Sequence, residues 1–148
     1  MKVCYYGDTN IGKVRAKNED NLVLKRVWQE THLLAVAIDG VGGQGGGDVA
    51  AELAARCISE HFDDCQATAN SLDVLQAAVI YANNTICAQR YSQMRCVLTA
   101  ALININTGLM VVCHIGDTRL YMLKDGVLTK VTSDHSLVAP LEESGTIS

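Results

Sequence analysis

Apolar positions along the chain change their spacing twice, and the changes mark out its elements. Residues 3–6 form a short β-prone run that ends at Gly7-Asp8. Residues 21–28 form a second run, and residues 33–38 a third that is apolar almost throughout. The polar break Glu30-Thr31-His32 suits a turn between antiparallel neighbours, so the three runs are predicted to pair as a small meander around residues 33–38. From about residue 48 to 62 the period becomes helical. Val49, Leu53 and Cys57, with Ala50, Ala54 and Ile58, fall at i, i+3, i+4 and i+7. A polar link, residues 63–70, leads to Ser71, the expected N-cap of a second helix. Its stripe of Leu72, Leu75, Val79, Ala82 and Ile86 runs to about residue 91. Strand spacing then returns at residues 96–105, 109–115, 119–123 and 127–131. The breaks between them are Asn106-Thr107-Gly108, Gly116-Asp117 and Asp125-Gly126. These four runs are predicted to form an antiparallel meander. Strands, a helix pair and strands again predict an α+β layered fold and argue against a parallel sheet built from βαβ units.

Composition narrows the function classes. A chain of 148 residues, 49% of them hydrophobic, is long enough for one domain with a real core. A net charge of -4 without any run of Lys or Arg leaves no electrostatic footprint for nucleic acid. No apolar stretch approaches the roughly 18 residues that span a bilayer. The first residues soon give way to polar Gly7-Asp8-Thr9-Asn10, so no membrane partner and a cytoplasmic location are expected. Six cysteines are present, none in a C-x-x-C pair and most among aliphatic neighbours. They are read as reduced core residues.

The candidate chemistry sits where the apolar run 33–38 delivers Asp39 into Gly40-Val41-Gly42-Gly43-Gln44-Gly45-Gly46-Gly47. Gly40-x-Gly42-x-x-Gly45 matches a dinucleotide fingerprint formally. Its context fails: a second helix follows where a strand is required, and Asp39 would adjoin the pyrophosphate. A single Asp at a strand end is commonly a turn former. Further carboxylates at comparable breaks, Glu19-Asp20, Asp117 and Asp134, change that balance. Gathered together they would repel one another, and a hard divalent cation with oxygen ligands, Mg²⁺ or Mn²⁺, is the natural counter-charge.

Five segments in order carry a family resemblance. They are the stretch from Thr9 through Arg15 to Glu19-Asp20, Asp39-Gly40-Val41-Gly42-Gly43, Gly47-Asp48-Val49-Ala50, Ile115-Gly116-Asp117-Thr118-Arg119, and Leu128-Thr129 with Ser133-Asp134-His135-Ser136. Together they resemble the metal-dependent protein serine/threonine phosphatases of type 2C, in their bacterial form. The resemblance implies a four-layer αββα sandwich, two antiparallel sheets flanked by helix pairs, with Leu137-Val138 and Gly145-Thr146-Ile147 in a short helix after the Asp-His-Ser motif. It implies two divalent ions, Mn²⁺ or Mg²⁺, with a third in bacterial members, activating a water against phosphoserine or phosphothreonine. Asp39 would bridge the ions and Gly40 would offer its backbone carbonyl. Arg15 would hold the phosphate, Glu19 and Asp20 would orient waters and Arg15, and Asp117 would serve the third ion.

The same resemblance makes residues 1–148 the expected N-terminal two-thirds of a single domain. Two further aspartate motifs of the family would lie past Ser148, and Arg95-Cys96-Val97 stands where the family has Gly-Thr-Thr. The implied partners are proteins phosphorylated on Ser or Thr, a Ser/Thr kinase among them. Uncovered strand edges would invite a dimer. The alternative reading is a non-catalytic protein of the phosphatase fold that binds a partner.

Overall fold

The computed structural model of the chain describes residues 3–41, 45–67, 70–89 and 94–135. The expected short helix at residues 137–147 lies outside them, as does Gly42-Gly43-Gln44 of the glycine turn.

Strands β1 (Asp20–Val27), β2 (His32–Gly40), β3 (Cys96–Asn104) and β4 (Met110–Ile115) form one antiparallel sheet in the order β1-β2-β3-β4. Strands β5 (Tyr121–Lys124) and β6 (Val127–Lys130) form a second, two-stranded antiparallel sheet. Helices α1 (Gly47–Asp64) and α2 (Ser71–Cys87) pack on one another and cover one face of the larger sheet. The fold is thus α+β with two antiparallel sheets and a helix pair, as the spacing predicts.

Alternation decides which side chains meet the helices. Val23, Val27, Leu34, Val36, Ile38, Leu98, Ala100 and Leu102 point to the helix side. There they bury against Ala50, Ala54, Cys57, Ile58 and Phe62 of α1 and against Leu75, Val79 and Ala82 of α2. Small residues at Ala50 and Ala54 let the helix backbone approach the sheet closely. The opposite face carries Leu22, Leu24, Ala35, Ala37, Thr99 and Ala101. These line a cavity of about 600 Å³ roofed by residues 6–10 and 118–120.

Three expectations are corrected. Residues 3–6 add no strand: the inner edge of β2 is taken by β3 over the full register from His32↔Asn104 to Gly40↔Cys96, and the other edge by β1. The N-terminal segment instead lies across β1, with Gly7 against Leu22 and Leu24 and Tyr5 beneath the Arg26 guanidinium. Secondly, residues 96–131 do not make one meander. Gly116, at φ +101°, turns the chain out of the larger sheet, and β5–β6 pair apart from it. Lastly, the cap of α2 is Asn70, whose side chain accepts from the Asp73 amide, and the helix ends at Cys87 instead of near residue 91.

Candidate metal centre

Antiparallel register brings the first two carboxylates together without any help from loops. Asp20, the first residue of β1, stands opposite Asp39 near the end of β2, on the face that the helices leave open. Glu19 precedes Asp20, and its carbonyl accepts from the Gly40 amide at 3.0 Å. Arg15 lies at the edge of salt-bridge distance from Glu19, 4.0 Å, with its side chain mostly in solvent.

Asp117 arrives from the opposite flank. Gly116 turns over Val97, the β3 residue paired with Asp39, and a Cβ on Gly116 would lie 2.3 Å from the Val97 Cβ. The electrostatics report the convergence. Partial loss of hydration, then the Asp20 and Asp117 charges and, more weakly, Glu19 hold the Asp39 carboxyl above the usual carboxylate range, while Arg15 acts in the other direction. The Asp39 carboxyl thus feels the charges of Arg15, Glu19, Asp20 and Asp117, whereas Asp134, grouped with them in the sequence, stands apart in ion pairs with Arg119 and Lys130.

Gly40 is required for a steric reason that can be read directly. A Cβ there would fall 2.2 Å from the Gly47 carbonyl oxygen and 2.5 Å from that of Glu19. Three backbone segments meet at this glycine, those of β2, the residue before β1 and the start of α1. The Lys17–Asp48 ion pair fastens the loop bearing Arg15 to the first turn of α1, and the Lys17 ammonium pulls the Asp48 carboxyl below its ordinary range.

The donor set suits a hard divalent cation: it is made of carboxylate and backbone oxygens, and its crowding of like charge is what a cation would relieve. The set is sparse. Among the described residues no group of three or more His, Cys, Asp and Glu side chains is drawn tightly enough to hold an ion as it stands. A bound ion would therefore keep several of its waters.

Sequence reasoning passed over two features. The sequence reading takes the Cys-x5-Arg arrangement of cysteine-dependent phosphatases to be absent, and this is corrected: Cys113 and Arg119 meet that spacing. The structure separates them: Cys113 packs against the helix-side core, where burial raises its thiol pKa, whereas Arg119 is bound through Nη2 and Nε to the Asp134 carboxylate at 2.6 and 3.0 Å. No cysteine nucleophile is formed there. Also unforeseen is a polar cluster around Thr99 and His114. Its signal is present in the sequence as two polar residues inside otherwise apolar strands.

A helix-layered antiparallel fold with an oxygen-only acidic site at one end of its central sheet defines the class of protein. The family model for protein phosphatase 2C matches residues 9–139. The chain is 39% identical over 149 aligned residues to the serine/threonine protein phosphatase PstP of Mycobacterium tuberculosis, covering 97% of this chain and 27% of that protein. It is 34% identical to the serine/threonine phosphatase stp of Listeria monocytogenes, covering 95% of this chain and 58% of that protein. The crystal structure of the catalytic domain of PstP in complex with two manganese ions superposes with a TM-score of 0.78 at 35% identity, covering 93% of this chain and 58% of that one. The chain belongs to the protein phosphatase 2C family. It spans between about a quarter and three-fifths of the length of these relatives.

Proposed function

We propose that the chain contributes to metal-dependent hydrolysis of phosphoserine and phosphothreonine in proteins. The observation that carries this reading is the facing of Asp20 and Asp39 across the β1–β2 register, beside a glycine with no room for a side chain and in reach of the charges of Arg15, Glu19 and Asp117. Asp39, the Gly40 carbonyl and Asp117 would hold Mn²⁺ or Mg²⁺, two ions with a third at Asp117. Bound there, such ions lower the pKa of water from 15.7 towards about 7 and offset phosphoryl charge. Glu19 and Asp20 orient neighbouring waters and steady Arg15. The Arg15 guanidinium, mostly in solvent and 4.0 Å from Glu19, presents its fork to the phosphate. The substrates would be Ser/Thr-phosphorylated proteins of the cytoplasm, a Ser/Thr kinase among them.

Release of phosphate from a phosphothreonine peptide, dependent on Mn²⁺ and reduced more than about 100-fold by Asp39→Ala, is the expected result. Equal rates for the chain and its Asp39→Ala form would overturn the reading. The sparse donor set favours a second reading, a non-catalytic member of the family that binds a partner. Absence of phosphate release together with no Mn²⁺ heat in calorimetry would select it.

A further inference from the structure

The polar cluster noted above surrounds the turn that carries Asp117, and it is closed on both sides of that residue. Thr99, 5% exposed in the middle of β3, places its hydroxyl 2.9 Å from His114 Nδ1 and 2.7 Å from the Thr118 hydroxyl, with the Thr118 carbonyl at 3.1 Å. His114 stands beside Thr99 in the β3–β4 register, and its Nε2 is 3.0 Å from the Ser133 carbonyl. A carbonyl only accepts, so Nε2 carries the proton. Nδ1 of the neutral ring is then the acceptor for Thr99, whose oxygen in turn accepts from Thr118. Beyond Ser133 the chain returns to the same turn: the His135 amide donates to the Gly116 carbonyl at 2.7 Å, and the Gly116 amide to His135 Nδ1 at 3.4 Å. The two imidazole rings lie 4.8 Å apart.

Gly116 is thereby held through both its backbone groups, and Thr118 through its side-chain hydroxyl. Asp117 is the one residue between them. From these contacts we infer that Thr99 and His114 are positioning residues, which set the Asp117 carboxylate against Asp39 and so tune the affinity of the centre for its cation. The inference rests on the reading of Asp117 as a metal ligand. Its logic is that of any supporting shell: a short acidic side chain on a glycine turn is aimed only as well as its two neighbours are fixed, and loss of such support commonly lowers metal affinity about 10- to 100-fold. Thr99 shares its face of the sheet with Ala37 and Ala101, so a valine there keeps the shape and removes only the hydroxyl.

The test measures Mn²⁺ binding by the loss of the free-ion EPR signal, with urea unfolding as a separate check on the fold. It compares the chain with Thr99→Val, Thr99→Ser, Asp117→Asn and the Thr99→Val/Asp117→Asn double variant. Thr99→Val keeps the β-branched shape and removes the hydroxyl, and is expected to weaken binding about tenfold; Thr99→Ser restores it to within about twofold. In the double variant the two losses do not multiply, because Thr99 acts through Asp117. Thr118→Val removes the hydroxyl on the outer side of the cluster and carries the same expectation, so a poorly folded Thr99→Val does not end the test. Unchanged affinity in both valine variants, beside a loss in Asp117→Asn, overturns the inference and leaves the metal reading intact. Fully multiplicative losses also overturn it. If Asp117→Asn itself leaves Mn²⁺ binding unchanged, the ligand reading of Asp117 falls and the inference falls with it.

Discussion

Gly40 couples the backbone of β2 to two other segments at contact distances that exclude even a methyl group. Replacing it with alanine places carbon 2.2 and 2.5 Å from two carbonyl oxygens that belong to backbone, so no side-chain rotation relieves the clash. Gly40→Ala is expected to lower stability by about 1–3 kcal/mol, the usual range for forced overpacking, and to cut Mn²⁺ binding at the same time. Urea unfolding checks the first and EPR titration the second; a variant with wild-type midpoint and affinity would contradict both. At this scale the sequence was legible where chemistry and sterics coincide. Asp39 and Gly40 stand out because a carboxylate and a glycine close an apolar run, and Asp20 follows once the register is known. Thr99 and His114 were not legible, since a polar residue within a strand ordinarily points to solvent, and only the folded chain shows Thr99 buried under the turn of residues 116–118.

Among the elements, the β1–β2 hairpin shows how one side chain can fasten several. Trp28, Gln29 and Glu30 all adopt positive φ in its turn, with Trp28 anchored by its indole, which donates to the Cys65 carbonyl and packs on Phe62. His32, the first residue of β2, joins this turn to the end of β3. One ring nitrogen lies 2.9 Å from the Thr31 hydroxyl and the other 3.2 Å from the Asn104 amide nitrogen. That amide only donates, so Nε2 is the acceptor and Nδ1 bears the proton. Protonation would set a second donor against Asn104, and burial holds the His32 pKa below its ordinary value. A depressed histidine pKa makes its contribution fully present above about 6.5 and lost as pH falls below that towards the folded value. The urea midpoint is therefore expected to fall between pH 7 and pH 5.5 in the wild type and to fall less in His32→Gln. Parallel profiles would remove His32 as the cause. The raised carboxyl of Asp39 works with the opposite sign and in the lower, carboxylate range, which keeps the two effects apart.

For the molecule as a whole, layering was readable from the order of elements and pairing was not. Which strands neighbour β2 depends on contacts distant in sequence, so residues 3–6 looked like a partner for it, and only the nine-residue match of β3 decides otherwise. The division of residues 96–131 into two sheets likewise turns on the handedness of one glycine. That division leaves the β5–β6 hairpin with apolar side chains in solvent: Leu123 is 70% exposed and Val127 and Leu128 64% each. Such exposed apolar surface, with the outer edges of β1 and β4 unpaired among the described residues, favours self-association. Light scattering is expected to show dimers or larger species that dissociate in a Leu123→Lys/Leu128→Lys variant; a wild-type chain that stays monomeric at high concentration would refute this.

Gly116 also sets an order of events. Asp39 belongs to the four-stranded sheet, whereas the turn that carries Asp117 is pinned from beyond β6 through Ser133 and His135. During synthesis, a nascent chain released only as far as β4 would lack those pinning contacts. On the proposed metal reading, cation capture would await the arrival of residues 133–135.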